Sequence, residues 1–462
     1  MHLEYDSRMA PVLKRLGLYQ MSQMTKLTID SALLTGLIER WRPETHTFHL
    51  PVGEMTVTLQ DVSCLWGLPI SGSAVTGVEY ADYTQLIVDS LGFGDILKKR
   101  KHRKGDHRPS VSTISLPLLR KRFETLPEGA LPDQVERYTR AYILDMFACW
   151  MFPDASGDTV PASFLVFLTD LNNPPKVNWG AAVLACLYRG LCTACQIASK
   201  SFIGPAALLQ HWSWTRFPFG RPRPHTPGWQ PDWGSPDSDS CPAYAARFCS
   251  KKTFVATPHR RPMGVAFFRT QWEHLTPDLV TWRPYDERAE TFEEGPCRSF
   301  LYRLPGICFQ ERDFWRAQVP LIFYQVVEHH YPARVMRQFG LAQAVPPPAP
   351  ISESEWRQLH KTKQIKYDKD WRTIHGGYVE PAENMSAHLV SGDCCFDPYD
   401  PDYRRWYQDH CAFTVFLHGM LTHDLTQPIP VPRDQRGEPH GYIPSGPPMA
   451  QMVRNHYLFI KI

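Results

Sequence analysis

The distribution of proline constrains this chain more than any other feature of its sequence. The 462 residues include 42 prolines, and each proline fixes φ at about −65° and removes a backbone hydrogen-bond donor. Prolines are densest in residues 217–242, FPFGRPRPHTPGWQPDWGSPDSDSCP, and in residues 345–350, VPPPAP. Regular elements exclude such stretches, so we expect a long irregular Pro-rich loop at 217–242 and a semi-rigid boundary at 345–351.

The overall composition is that of an ordinary globular protein, with 43% apolar residues, 21% charged residues and a net charge of +3. A chain this long and this apolar buries a substantial core, which excludes collagen-like and fully disordered classes. No run approaches the roughly 20 apolar residues of a membrane span, and the first residues lack the layout of a signal peptide. We therefore expect a cytosolic or nuclear protein with no membrane contact and with reduced cysteines.

Apolar periodicity predicts a mainly α fold. Residues 28–41 form a one-sided helical pattern with Asp30 as its N-cap, and Thr58 with Asp61 predicts a capping box for the next helix. Alternation between them predicts a β-hairpin with arms at 47–50 and 55–59. Further helical patterns cover residues 83–91, 115–126, 133–151, 160–171, 177–198, 204–212 and 328–343, and short β-like segments lie at residue 255, 280–282 and 299–304.

These elements predict a multi-helix globular domain at residues 1–344, with a small N-terminal β-hairpin, short strands and long Pro-rich loops. Beyond the boundary at 345–351, residues 352–462 are predicted to form a C-terminal helical extension and a Pro-rich tail.

Several ordered blocks of the sequence resemble the plant mobile domain family, which is also labelled aminotransferase-like. The first block is DSALLTGLIERWRPETHTFHLP at residues 30–51, and later blocks follow in order, so that the resemblance covers most of residues 5–350. The residues that carry it include Trp41, Arg42, Pro43, Glu44, Thr45, His46, Phe48, Gly53, Glu54, Trp179, Gly180, Trp212, Trp214, Trp282, Pro284, Tyr285, Arg337, Gln338, Phe339 and Gly340.

The resemblance implies a nuclear protein of transposon origin. Family members are linked to transposon silencing, genome integrity and meristem maintenance, and some act with a serine/threonine phosphatase-like partner. The family supplies no settled catalytic residues. We therefore expect a non-enzymatic nuclear interaction protein, host-domesticated or transposon-encoded, with the cytoplasm as the alternative location. A nuclease- or transposase-like protein is the second interpretation, and an aminotransferase-type enzyme is the third.

The family label raises the question of pyridoxal phosphate, which needs a Schiff-base lysine and a phosphate cup. Lys200, in the sequence Ser199-Lys200-Ser201, stands between two predicted helices and has no glycine-rich phosphate loop upstream. A cation after a helix C-terminus is an ordinary arrangement. We expect no bound cofactor, and we expect Gly204 and Pro205 to begin a helix that packs through Leu208, Leu209 and Trp212.

Acidic, histidine and cysteine residues offer weaker candidates for metal chemistry. Asp145, Asp158 and Asp170 are available for a two-metal nuclease site, although Asp145 lies in an apolar pattern and is more simply paired with an arginine. The sequences Glu328-His329-His330 and Cys192-x-x-Cys195 lack zinc-finger spacing, because adjacent histidines on a helix point about 100° apart. We therefore predict buried thiols in place of metal ligands.

A basic run at residues 98–104 is the sharpest charged feature. Its cations are Lys98, Lys99, Arg100, Lys101, Arg103 and Lys104, and Arg108 follows. Such a run is typical of a nuclear-import signal, of a loop that contacts nucleic-acid phosphates, or of a solvated loop. We favour nuclear import and keep nucleic-acid contact through residues 98–108 as an alternative.

The tryptophans and a group of polar residues can each be interpreted either as structural or as ligand-binding. Trp41, Trp66, Trp179, Trp212, Trp214 and Trp282 form either buried core anchors, which their helical contexts favour, or a base-stacking platform. Arg40, Arg42, Glu44, Thr45 and His46 form a polar corner between the first helix and the hairpin. We predict a buried arginine–carboxylate network there in preference to a ligand contact.

Overall fold

The computed structural model describes residues 3–24, 27–93, 112–196, 199, 201–221, 243–248, 264–285, 306–348, 352–361 and 369–411. The α-helices in these ranges are Ala10–Arg15 (α1), Tyr19–Ser22 (α2), Ser31–Ile38 (α3), Leu59–Trp66 (α4), Thr84–Leu91 (α5), Leu116–Arg122 (α6), Pro132–Met146 (α7), Trp179–Ala194 (α8), Ala206–Arg216 (α9), Val265–Glu273 (α10), Ile307–Gln310 (α11), Glu353–His360 (α12), Trp371–Ile374 (α13), Gly376–Glu383 (α14) and Pro401–His410 (α15). The strands are Trp41–Arg42 (β1), Thr47–Leu50 (β2), Gly53–Met55 (β3), Val78–Glu79 (β4), Thr113–Ser115 (β5), Thr159–Pro161 (β6), Pro320–Phe323 (β7), Val326–His329 (β8) and Lys369–Asp370 (β9). The fold is mainly α, as the periodicity predicts, and no helix in these ranges is long and apolar enough to cross a membrane.

The first helices and the hairpin form where the sequence predicts them. Asp30 caps α3 by accepting hydrogen bonds from two backbone N–H groups, and Thr58 and Asp61 form the capping box of α4. The antiparallel sheet has the order β1–β2–β3. Its last strand ends at Met55, short of the predicted arm at 55–59, because the Gln338 amide takes over the pairing of the Thr56 backbone with hydrogen bonds of 2.8 Å in both directions.

The long helix α8 lies in the centre of the core. Nearly all of its residues are buried, and it packs against α4, β1, β7 and β8. Its N-terminus needs Gly180, since an added Cβ would lie 2.7 Å from the Ile70 side chain and 2.9 Å from the Pro69 carbonyl oxygen. The predicted helix at α9 is also present, and it buries Leu208, Leu209 and Trp212 as expected.

Three local predictions are wrong. Residues 328–343 form the end of β8 and two 3₁₀ turns, because β8 pairs with β7 and Pro332 biases the preceding residue toward extended backbone. Residues 160–171 form β6 followed by a 3₁₀ helix at Ala162–Leu168, since β6 pairs with β5. Residues 280–282 are irregular and do not form a strand. The β-like segments at 255 and 299–304 lie outside the described residues.

The described part of the C-terminal extension packs against the preceding body. Strand β9 pairs with β4, and α14 contacts β7. From α15, the Tyr403 hydroxyl accepts a hydrogen bond of 3.1 Å from the backbone N–H of Glu54 in β3. Helix α15 therefore contacts the N-terminal hairpin, whereas β9 and α14 pack against other parts of the body.

Candidate functional site

The tryptophans of the family blocks are core anchors, as the sequence predicts. Trp41, Trp66, Trp179 and Trp212 expose 1% or less of their surface, and Trp214 and Trp282 expose 5% and 7%. Phe48 lies between two of them, with its ring centroid 4.9 Å from Trp41 and 5.4 Å from Trp212. Side chains buried to this degree do not form a surface on which nucleobases stack.

A buried ion pair joins α4 to α9. The Arg216 guanidinium donates a 2.8 Å hydrogen bond to Asp61 Oδ1, and both side chains are fully buried. The Tyr285 hydroxyl donates to the same oxygen at 2.9 Å, and burial raises the pKa of Tyr285 well above its usual value. Arg216 also donates to the Trp282 carbonyl oxygen, so the ion pair fixes the segment that contains Trp282, Pro284 and Tyr285.

A second buried network surrounds Glu54 in β3. Its Oε1 accepts hydrogen bonds from Thr47 at 3.0 Å and from Arg334 at 2.8 Å, and His49 Nε2 lies 3.4 Å away. Burial alone would raise the pKa of Glu54, but His49 and Arg334 outweigh it and lower this pKa.

Arg337 occupies an aromatic slot beside this network. Its guanidinium lies 4.6 Å from the ring centroids of both Trp282 and Tyr403, and it donates to the Val52 carbonyl oxygen at 2.8 Å. A Cβ at Gly53 would lie 2.2 Å from the guanidinium, and Gly53 has a φ of +115°, so glycine is required there. Arg337 lies in a 3₁₀ turn, Met336–Phe339, and Gly340 ends this turn with a φ of +74°.

The polar corner is buried only in part. Arg40 and Arg42 expose 0% and 4% of their surface and His46 exposes 2%, whereas Pro43 and Thr45 are half-buried and Glu44 is exposed. Burial lowers the pKa of Arg40 to about 10. The arginines are buried as predicted, but Glu44 does not join them in a buried network, and the carboxylates near the corner come from elsewhere in the chain, with Glu273 at 3.9 Å from Arg40 and Glu328 at 3.0 Å from His46.

Four side chains from four separate elements converge beside this corner, and we call them the HCEH cluster: His46, Cys192, Glu328 and His360. They come from the turn between β1 and β2, the last turn of α8, strand β8 and the end of α12. One potential ligand atom of each lies within 4.8 Å of the others. Imidazole, thiolate and carboxylate are the groups with which proteins bind transition metals.

Surrounding groups orient each member of the HCEH cluster. His46 Nδ1 lies 2.8 Å from the His329 carbonyl oxygen, and His360 Nδ1 lies 2.9 Å from that of Trp356. The Trp41 indole N–H donates to Cys192 Sγ at 3.3 Å.

The charged members respond to burial in different ways. Arg189 Nε donates to Glu328 Oε1. Burial favours the neutral acid, but Arg189 and the two histidines outweigh it and hold the pKa of Glu328 well below its usual range. Burial raises the pKa of the Cys192 thiol well above its usual value.

The sequence draws attention to three of these four residues but not to the cluster. His46 belongs to the polar corner and to a family block. Glu328 and Cys192 belong to two separately considered motifs, and their sequence neighbours point elsewhere. Strand alternation turns His329 away from Glu328, and the Cys195 thiol donates to the Cys192 carbonyl oxygen. The interpretation of the histidines as neighbours on a helix is wrong, because Glu328 and His329 lie in a strand. No short spacing connects His46 with His360, so only the fold reveals that they meet.

The carboxylates considered for a nuclease do not come together. Asp145 Oδ1 accepts a 2.7 Å hydrogen bond from Arg120, which confirms the predicted arginine pairing. Asp170 accepts backbone hydrogen bonds from Asn172 and Asn173. Among the described residues, the HCEH cluster is the only group of three or more such side chains at metal-binding distances. Lys200 and the basic run at 98–108 lie outside the described residues.

Comparison with known proteins shows the family. The model of the plant mobile domain matches residues 17–408, so the chain belongs to the plant mobile domain family. This match continues through the predicted boundary at 345–351 and includes helices α12–α14 and most of α15. No solved structure matches the chain.

Similar curated proteins come from Arabidopsis thaliana. "Serine/threonine-protein phosphatase 7 long form homolog" is 36% identical over 85% of this chain and 28% of its own length. "Protein MAIN-LIKE 1" is 31% identical over 69% of this chain and 56% of its own length. "Protein MAINTENANCE OF MERISTEMS" is 27% identical over 88% of this chain and 75% of its own length. The chain thus spans between about a quarter and three quarters of these relatives.

Proposed function

We propose that this chain is a non-enzymatic nuclear interaction protein that contributes to transposon silencing and meristem maintenance. The observation that carries the proposal is that polar side chains of the family blocks make contacts inside the domain. Glu54, Arg337 and Gln338 are buried and engaged in internal contacts. Buried residues with such contacts maintain the fold of the domain, and we infer that a partner binds to the surface of this fold.

The names of two relatives support the choice of process and partner. One is named for the maintenance of meristems, and another is named as a homologue of a serine/threonine phosphatase. We infer that the partner is a serine/threonine phosphatase-like protein. Reciprocal affinity purification from plant nuclei, with each protein tagged in turn, should recover the other protein by mass spectrometry. Recovery of neither protein with the other would contradict the partnership.

Nuclear entry is proposed to depend on the basic run. Replacement of Lys98, Lys99, Arg100 and Lys101 by alanine should leave a fluorescent fusion in the cytoplasm, provided that the fusion is large enough to diffuse slowly through nuclear pores. The matched control removes the same charge from four scattered exposed positions: Lys14, Lys121, Lys361 and Arg405.

The control fusion should stay nuclear, because import receptors read a contiguous basic run. Equal nuclear accumulation of both variants would remove the import role. The same pair of variants distinguishes the alternative, since a phosphate-contacting run would lower nucleic-acid affinity and the salt dependence of binding in the first variant only.

A further inference from the structure

The hydrogen bonds of the two histidines in the HCEH cluster determine which ring nitrogen carries a proton. A carbonyl oxygen only accepts hydrogen bonds. Because Nδ1 of His46 and Nδ1 of His360 each contact a backbone carbonyl oxygen, each Nδ1 carries its hydrogen. In a neutral ring the other nitrogen, Nε2, then presents a lone pair.

Both lone pairs face the same buried carboxylate. His46 Nε2 lies 3.0 Å from Glu328 Oε2, and His360 Nε2 lies 3.1 Å from Glu328 Oε1. Glu328 is 1% exposed and His46 is 2% exposed. Three atoms have no hydrogen-bond partner among the described residues: His46 Nε2, His360 Nε2 and Glu328 Oε2. If both rings are neutral, the site brings electron-pair donors together with no donor hydrogen between them, and either a proton on each ring or a metal ion resolves that arrangement.

Protons on both rings are the competing explanation, and the charges of the cluster disfavour it. Two imidazolium rings and the Arg189 guanidinium would surround one carboxylate, which leaves an excess of two positive charges in a buried space. Buried charge of this kind is unfavourable unless it is paired. The two positive charges of a divalent ion cancel the negative charges of one thiolate and one carboxylate, so only the positive charge of Arg189 remains.

We propose that His46 Nε2, Cys192 Sγ, Glu328 Oε2 and His360 Nε2 bind one Zn²⁺ ion in a tetrahedral structural site. Zinc favours this mixture of nitrogen, sulfur and oxygen ligands, and four protein ligands are typical of structural sites. Zinc–ligand bonds of about 2.0–2.3 Å place tetrahedral ligand atoms roughly 3.3–3.8 Å apart. Ligand atoms within 4.8 Å of one another reach that spacing through small side-chain rotations.

The surroundings of the HCEH cluster match those of zinc ligands. Histidine ligands almost always donate their second N–H to a carbonyl or carboxylate oxygen, which fixes the ring and its tautomer, and both histidines do so here. Trp41 donates to the sulfur of Cys192, and Arg189 holds Glu328. His46 adopts a φ of +51°, an uncommon conformation for a residue other than glycine and one that concentrates at functional sites.

A zinc ion at this position joins parts of the chain that are distant in sequence. His46, Cys192 and Glu328 precede the Pro-rich stretch at 345–350, whereas His360 lies in α12, which follows it. Metal binding therefore fixes α12 against the hairpin and β8, and the loss of zinc should release α12 first.

Metal analysis of the full-length chain tests the proposal. The protein is purified without a metal-binding tag, dialysed against buffer, and analysed for metals by mass spectrometry, with one zinc ion per chain expected. Cys192→Ser and His360→Asn should each lower the zinc content well below one per chain.

Two matched controls should retain the metal. Cys186→Ser alters another thiol of α8 with a strongly raised pKa. His410→Asn alters a histidine whose Nδ1 also contacts the carbonyl oxygen of a tryptophan four residues earlier, at 2.8 Å, and whose ring also stacks on that tryptophan.

Cobalt substitution identifies the ligands if a variant is unstable. Wild-type protein loaded with Co²⁺ should show visible bands of tetrahedral coordination and a near-ultraviolet thiolate charge-transfer band. The charge-transfer band should persist in Cys186→Ser and vanish in Cys192→Ser. Wild-type protein that retains no zinc after exposure to it, with a melting temperature unaffected by zinc or chelator, would overturn the site, as would zinc retained equally by all four variants.

Discussion

Replacement of Trp41 by alanine tests whether the family block at the hairpin builds the core. The indole is 1% exposed, lies against Phe48 and Tyr188 with ring centroids 4.9 Å and 5.3 Å away, and donates to Cys192. Truncation of a buried tryptophan removes its transfer free energy and leaves a cavity, which together cost about 3–5 kcal/mol. We expect Trp41→Ala to lower the free energy of unfolding by about 4 kcal/mol.

Urea unfolding followed by circular dichroism measures this loss through the shift of the midpoint at an unchanged slope. The matched control is Trp406→Ala, because Trp406 is only half-buried on α15 and its removal leaves a smaller cavity. The control should lose clearly less stability. A loss at Trp41 below about 1 kcal/mol, which is the range of ordinary substitutions, would refute the account of Trp41 as a core anchor and favour a ligand-stacking role.

Two further predictions concern buried polar groups. Arg216→Met should destabilise the protein by about 3–5 kcal/mol in urea unfolding, because Asp61 would stay buried without its partner, whereas Arg405→Met at an exposed position should change stability by less than about 0.5 kcal/mol. Burial lowers the pKa of His211 to about 3, so only the unfolded state takes up its proton as the pH falls from about 7 to 5. This residue should therefore cost about 2 kcal/mol of stability over that interval, and unfolding titrations of His211→Gln should show a pH dependence that is weaker by this amount; an unchanged dependence would refute it.

Local sequence patterns predict the elements whose causes are local. Asp30 as the cap of α3 and the Thr58–Asp61 capping box of α4 depend on residues two or three positions apart, so periodicity and capping rules find them. The predicted helix at 328–343 is wrong because Glu328 and His329 belong to strand β8, which pairs with β7 across a two-residue turn, and a pattern that begins at residue 328 leaves out the partner strand. Strand β8 exists through its pairing with β7, and no helical or capping rule reports that pairing.

Sequence patterns do not predict the candidate site, because its four side chains meet only through contacts between distant parts of the chain. His46 and His360 lie far apart in the described chain; His46 attracts notice only as part of the polar corner, and His360 looks ordinary in its own segment. Glu328 and Cys192 attract notice only through neighbours that take no part in the cluster. The family resemblance locates His46 within a block, but it carries no information about the side chains that meet it in space.

X-ray absorption at the zinc edge of the purified full-length protein reports the ligands of the metal in solution. The HCEH cluster predicts four ligands, with one sulfur at about 2.3 Å and three nitrogen or oxygen atoms at about 2.0–2.2 Å. The sulfur contribution should disappear in Cys192→Ser and remain in Cys186→Ser. A protein without bound zinc, or a first shell that lacks sulfur in the wild type, would contradict the proposed joining of the hairpin, α8, β8 and α12 through one metal ion.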